Sequence, residues 1–369
     1  MAVEEPRFLP RAGLQRLIDR LRNQFQQVLG PQVCDGAIVY GPLQRLQQLP
    51  IGQGDRQAPG SYRLEAAGGE RCFAWANGPQ ALKPLLFTPE QPVWRSVRNA
   101  DGQLEFLPMP AEPESLAVIG VRACDLAALA LQDAHFLGDP ADPWYVARRE
   151  GLFLVAVHCT HPADTCFCAS TGDGPTCCDG FDLALHELDE GFIIEAGSKE
   201  GATVLADLAT LPVSREHWTA AQAQQAEAAR TQRRHLRPAH ELACLSDALM
   251  HSHWAEVGRR CLSCGNCTAV CPSCFCHRHE ERPAIDGVHS AHVRSWDSCF
   301  TAAHSALHGR PVRADTAQRY RQWLIHKLCT WQDQYGRIGC VGCGRCISWC
   351  PVGIDLTAEA ETVLGAAYV

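Results

Sequence analysis

The sequence predicts an α+β fold in which an N-terminal α/β domain, with a parallel βαβ unit and a hairpin, is followed by a helical domain. Three observations carry this. Two continuous apolar runs flank a helix-forming stretch in the middle of the chain, a polar Ala/Gln-rich segment begins near residue 215, and beyond it one cysteine motif occurs twice. The expected divisions are 1–214 for the α/β domain, 215–258 for a helical linker and 259–369 for the C-terminal domain. A chain of 369 residues is long enough for each part to have its own core.

Leu14, Leu17, Ile18, Leu21, Phe25, Val28 and Leu29 lie on one stripe of 3.6-residue period, so a first helix is expected there, stopped by Gly30-Pro31. Residues 31–114 are rich in Gly and Pro and predict irregular α/β structure with short strands near 37–40 and 71–75. The run SLAVIGVR (115–122) reads as a strand buried on both faces. A helix over 125–137 follows, with Leu126, Leu129, Phe136 and Leu137 inward, and then a second buried strand, GLFLVAVH (151–158). Strand, helix and strand predict a right-handed crossover and parallel pairing. Residues 181–197 alternate on both arms of a short turn and predict a hairpin.

The segment TAAQAQQAEAARTQRRHL (219–236) predicts an exposed linker helix. Pro238 interrupts it, and another helix is expected over 239–258. Trp296, Phe300, Ala303 and Leu307, and then Tyr320, Trp323, Leu324, Lys327 and Leu328, predict helices between the two motifs.

The formal net charge of −8 argues against nucleic acid, whose phosphates need a surplus of Lys and Arg, and suits docking on a basic face of a partner protein. No apolar run reaches the roughly 18 residues of a membrane span, and the N-terminus lacks the apolar core of a signal peptide. With 21 cysteines, mostly bunched, a reducing cytoplasm is expected, where clustered thiols bind metal or do redox work.

Both motifs read C-x2-C-x2-C-x3-C-P, namely Cys261, Cys264, Cys267, Cys271-Pro272 and Cys340, Cys343, Cys346, Cys350-Pro351. Three cysteines on a tight loop, with Gly265 or Gly344 to permit the turn, converge on a sulfide-rich cube, while the fourth points away from its own loop. Two [4Fe–4S] clusters are therefore expected, with the fourth cysteines exchanged: Cys261, Cys264, Cys267 and Cys350 for one, Cys340, Cys343, Cys346 and Cys271 for the other. Structural zinc usually takes two separated C-x2-C pairs, so a zinc-stabilised interaction module is the remote alternative. The long segment between the motifs favours a helical ferredoxin-like domain over a small β-α-β-β-α-β one.

Cys124 and Cys159 each follow a predicted buried parallel strand, at the sheet edge where open α/β sheets bind ligands. With Cys166 and Cys168 they form a candidate third [4Fe–4S] site, against the alternative of ordinary buried thiols. Cys274, Cys276 and Cys299, with His277 and His279 near, are expected to pack beside the first cluster, with a small metal or thiol site as the other reading. Cys34, Cys72, Cys177, Cys178, Cys244 and Cys329 read as structural. There is no G-x-G-x-x-G after a strand, no Walker A loop and no nucleophile elbow, so no nucleotide or catalytic site is evident. Clusters without a substrate site make a wire.

The chain resembles the β subunits of cytoplasmic sulfhydrogenases, which are NAD(P)-linked [NiFe] hydrogenases, together with the iron–sulfur relay subunit of anaerobic sulfite reductase. The resemblance rests on Gly120-Val-Arg-Ala-Cys124-Asp125, Trp144-Tyr145, Arg148-Arg149-Glu150, Cys166-Phe-Cys168, Phe181-Asp-Leu183 and Glu195-Ala-Gly-Ser198. In the C-terminal part it rests on 261–276, Trp296-Asp-Ser-Cys299, His326-Lys327 and 340–355. It implies an iron–sulfur relay between a flavin subunit that handles NAD(P)H and a [NiFe] hydrogenase module, or alternatively a sirohaem sulfite reductase subunit. It also strengthens the reading of Cys124, Cys166 and Cys168, which fall on family motif positions.

Overall fold

Two six-residue runs in which every residue is buried, LAVIGV and LFLVAV, form the centre of the molecule. The computed structural model describes residues 5–80, 82–111 and 114–365, so the outermost ends of the expected first and last domains lie outside the described residues. In chain order the principal strands are β1 (Arg7–Pro10), β2 (Gln27–Cys34), β3 (Ala37–Pro42), β4 (Gln53–Ala58), β5 (Ser61–Ala66), β6 (Glu90–Arg98), β7 (Leu104–Pro108) and β8 (Leu116–Val121). They continue as β9 (Leu152–Val157), β10 (Leu183–Glu187), β11 (Gly191–Ala196), β12 (Leu211–Pro212), β13 (His277–Pro283) and β14 (His289–Trp296).

The main sheet has the order β12-β1-β11-β10-β9-β8-β2-β3. Its middle, β2, β8, β9 and β10, is parallel, and β10–β11 is the expected antiparallel hairpin. The helix Ala123–Phe136 links β8 to β9 and buries Leu126, Leu129 and Phe136, whereas Leu137 follows its last turn and is exposed. Architecture and class are α+β, as expected.

Four local expectations need correction. The first helix, Gly13–Gln24, ends at Phe25, and Val28, Leu29, Gly30 and Pro31 belong to β2. Pairing of β2 with β8 stops at Leu29, so Pro31 sits where no amide is needed on that side. Residues 71–75 form a loop: the Cys72 and Phe73 amides donate to the Glu187 carboxylate at 2.7 and 2.8 Å, which replaces a ladder partner.

The helix expected over 239–258 is broken into Ala239–Leu242, a 3₁₀ turn Ala243–Ala248, and His253–Arg260. Leu242, Leu245, Trp254 and Val257 all enter one core, yet in a continuous helix Leu245 and Trp254 would face about 180° apart. The interruption turns both onto one side.

The fourth correction is the largest. Trp296 lies on a strand, and Ala302–Ser305 is a single 3₁₀ turn, so the helix expected from Trp296 to Leu307 is absent. Instead β13 and β14 form a hairpin around Asp286-Gly287, where Gly287 has φ +67° and the Asp286 carboxylate accepts from the Val288 and His289 amides. Asp-Gly between polar alternating runs is a hairpin signal. The hairpin joins β6 and β7 in a sheet ordered β13-β14-β6-β7, so residues on both sides of the expected linker share one sheet.

The helix Thr316–Ile325, with a wider π-turn over His326–Thr330, forms where the second aromatic stripe predicts one. Among the described residues no helix is long and apolar enough to cross a membrane.

Candidate functional site

Each cysteine motif wraps the start of a short helix, Asn266–Ala269 or Arg345–Ser348, and turns at Gly265 or Gly344 with φ +75° and +73°. Cys261, Cys264 and Cys267 line a cavity of about 30 Å³ together with Cys350 from the other motif. Phe300, Tyr320 and Trp323 wall it from water. The Ser263 amide donates to Cys261 Sγ at 3.4 Å and the Ile354 amide to Cys350 Sγ at 3.3 Å. Reciprocally, Cys271 of the first motif lies within electrostatic reach of Cys340, Cys343 and Cys346. Cys346 also lines the first cavity, so the two sets adjoin.

Burial pushes Cys267 and Cys346 well above the usual thiol range, and the other cysteines of each set push them further. Four such thiols ionise together only when a cationic core offsets their mutual repulsion. Among the described residues no three His, Cys, Asp or Glu side chains converge closely enough to hold a single ion. Zinc needs its thiolates within about 2.3 Å of one point, whereas Cys261, Cys264, Cys267 and Cys350 line a cavity, which fits a polynuclear group.

Cys124, Cys159, Cys166 and Cys168 gather at the C-terminal edge of β8 and β9. Cys166 feels Cys168 and Cys159, Cys168 feels Cys159, Cys124 feels Cys168, and Cys343 of the second motif acts on Cys124, Cys166 and Cys168. Asn77 Nδ2 donates to Cys124 Sγ at 3.1 Å and Gln232 Nε2 to Cys168 Sγ at 3.3 Å. The second motif packs directly on this segment, since the Phe167 amide donates to Gly342 O at 2.8 Å.

Residues 260–354 match the family described as 4Fe-4S dicluster domain. The chain is 32% identical over 244 residues to sulfhydrogenase 2 subunit beta of Pyrococcus furiosus, covering 64% of this chain and 71% of that protein. The chain belongs to the sulfhydrogenase β-subunit family. It is an iron–sulfur electron-transfer subunit that carries [4Fe–4S] clusters. No solved structure matches it.

This sulfhydrogenase β-family chain also uses residues that sequence reasoning missed. Lys327 is buried, and its Nζ donates to Cys271 Sγ at 3.4 Å, Ser273 Oγ at 3.1 Å and Gly339 O at 3.1 Å. Burial opposes its charge, but Cys271, Cys274 and Cys340 outweigh burial and hold the ammonium well above its ordinary range. A lysine inside the apolar stripe Tyr320–Leu328 was the available signal. Arg345 is 1% exposed; it pairs with Asp125 at 2.7 Å and donates to Gly78 O at 2.9 Å, which ties the second motif to the helix that carries Cys124. The linker helix Arg215–Arg230 lies on the α/β part, with Gln225 donating to Cys159 O at 3.2 Å, and delivers Gln232 to Cys168. Nothing in the polar sequence of that segment signalled such a role.

Proposed function

We propose that this chain is the relay of a hydrogenase complex, holding three [4Fe–4S] clusters. One is ligated by Cys261, Cys264, Cys267 and Cys350, one by Cys340, Cys343, Cys346 and Cys271, and one by Cys124, Cys159, Cys166 and Cys168. The observation that carries the reading is the continuity of these sets: each motif contributes a cysteine beside the other's three, and Cys343 adjoins the third set.

Bound [4Fe–4S] clusters exchange single electrons at potentials set by charge, hydrogen bonds and burial. The protein supplies those settings. Asn77, Gln232 and the Ser263 and Ile354 amides donate to ligand sulfurs, and Lys327 places a positive charge beside Cys271. Exposed Cys264 and Leu262 leave one edge of the row open to a docking partner. On the likeness to a sulfhydrogenase subunit, the partners are a flavoprotein that handles NAD(P)H and [NiFe] hydrogenase subunits, assembled in the cytoplasm.

Anaerobic isolation of the chain should yield about twelve irons and as many acid-labile sulfides for three clusters, and about eight for two. Cys166→Ser should remove about four; an unchanged count sinks the third site. Co-purification with a [NiFe] subunit is the expected outcome for partners, and a sirohaem protein in its place would redirect the assignment to a sulfite reductase complex.

A further inference from the structure

Cys274, Cys276 and Cys299 belong to none of the three ligand sets. The β13–β14 hairpin brings the last two together. Its open end pairs His277 with Trp296, and the Asp297 amide donates to Cys276 O at 3.0 Å, so Cys276 faces Asp297 with Cys299 just beyond. The Cys276 and Cys299 side chains are neighbours, and His304 neighbours the Cys276 sulfur. His304 Nδ1 is in turn held by the Asp297 carboxylate at 2.9 Å. Carboxylate, imidazole and thiol thus stand in series with a second thiol alongside.

Cys276 and Asp297 of this set open on solvent. Cys276, Cys274, Asp297 and Thr301 line a cavity of about 330 Å³ that also reaches Cys264 and buried Lys83. That is within the usual size of a small-molecule site, about 300–1,000 Å³.

We propose that Cys276 and Cys299 are a redox-active dithiol that reduces a small organic disulfide bound in this cavity. The proposal rests on the relay reading only for its electrons. The Cys276 thiolate attacks one sulfur of R–S–S–R; that bond breaks, the mixed disulfide Cys276–S–S–R forms, and the departing thiolate takes the proton of His304. His304 then accepts the Cys299 proton, Cys299 attacks Cys276 Sγ, and the second thiolate leaves with that proton. Two electrons, delivered singly by the chain's iron–sulfur centres, and two protons from solvent reopen the Cys276–Cys299 disulfide. The sum is RSSR + 2e⁻ + 2H⁺ → 2RSH. The Cys299 thiol and then His304 hold Cys276 below the ordinary thiol range against burial, while Cys276 pushes His304 up to about 9.

The test uses the full chain, isolated anaerobically, reduced, freed of reductant and given glutathione disulfide. Peptide mass mapping should find a Cys276–Cys299 disulfide in the wild type. Cys299→Ser should trap glutathione on Cys276, and Cys276→Ser should show neither product while keeping its iron. Trapping needs no electrons, so it reports on the dithiol even if the cluster assignments fail. Glutathione confined to other cysteines, no Cys276–Cys299 disulfide in the wild type, or a loss of about four irons in Cys276→Ser would each overturn the proposal, the last by making Cys276 a cluster ligand. If either variant does not fold, the wild-type map decides.

Discussion

Residues 261–271 and 340–350 repeat one spacing, and each loop turns at a glycine with φ close to +75°, yet the residue after that glycine is Asn266 in the first copy and Arg345 in the second. The first copy stays near the surface, with Cys264 exposed and Leu262 62% exposed. Asn266 reaches only across to Trp349 O in the second copy. The second copy is buried against the α/β part, with Arg345 on Asp125 and Lys327 on the Cys271 that the first copy sends over. Two layers of information separate here. Spacing fixes how thiols are offered to a cluster, and the residues between and around the cysteines fix what the site is anchored to and how it is charged.

If anchoring lives in Arg345, removing its partner should be far costlier than any comparable change in the first copy. Asp125→Asn leaves a guanidinium buried without its counter-charge, and a loss of about 3–5 kcal/mol is expected. Asn266→Ala removes a hydrogen bond at a half-buried position and should cost about 1 kcal/mol. Anaerobic urea unfolding of both variants measures the contrast, and equal midpoints would erase it.

The glycines sharpen the same contrast at smaller amplitude. A Cβ on Gly344 would stand 2.4 Å from the backbone oxygen of Thr165, which cannot rotate away. On Gly265 it would meet the Ser298 side chain at 3.0 Å. Both substitutions are strained by positive φ. Gly265→Ala is therefore expected to cost about 1–2 kcal/mol, and Gly344→Ala about 2–3 kcal/mol because the backbone clash adds to the strain. Gly344→Ala should also loosen the Thr165–Cys168 segment, readable as faster iron release from that variant alone.

These residues show where the sequence was legible. The central strands, the helix Ala123–Phe136 and the β10–β11 hairpin were readable because each buries a continuous or periodic apolar face. The dicluster domain was readable because its repeated cysteine spacing is local in the sequence. The joining of the β13–β14 hairpin to β6 and β7 was not, because β14 and β6 meet from positions about 200 residues apart and no local period announces their pairing. Lys327, Gln232 and Asn77 escaped for a related reason: each acts through one hydrogen bond to a sulfur that only the tertiary fold brings near.

Lys327 provides the finest test of the difference between the two copies. An ammonium 3.4 Å from Cys271 Sγ favours the extra negative charge of a reduced cluster, by about 5 kcal/mol at an effective dielectric of about 20. Delocalisation of that charge over a whole cluster places much of it farther away, so an effect on the order of 100 mV is the reasonable expectation. Lys327→Met keeps the length and apolar contacts of the side chain and removes the charge. The set of Cys340, Cys343, Cys346 and Cys271 should then titrate about 100 mV lower, while the set at Cys261 stays where it was. A redox titration followed by electron paramagnetic resonance resolves the two. Equal shifts at both would mean that the charge is felt across the whole dicluster region and that the copies are electrostatically one site.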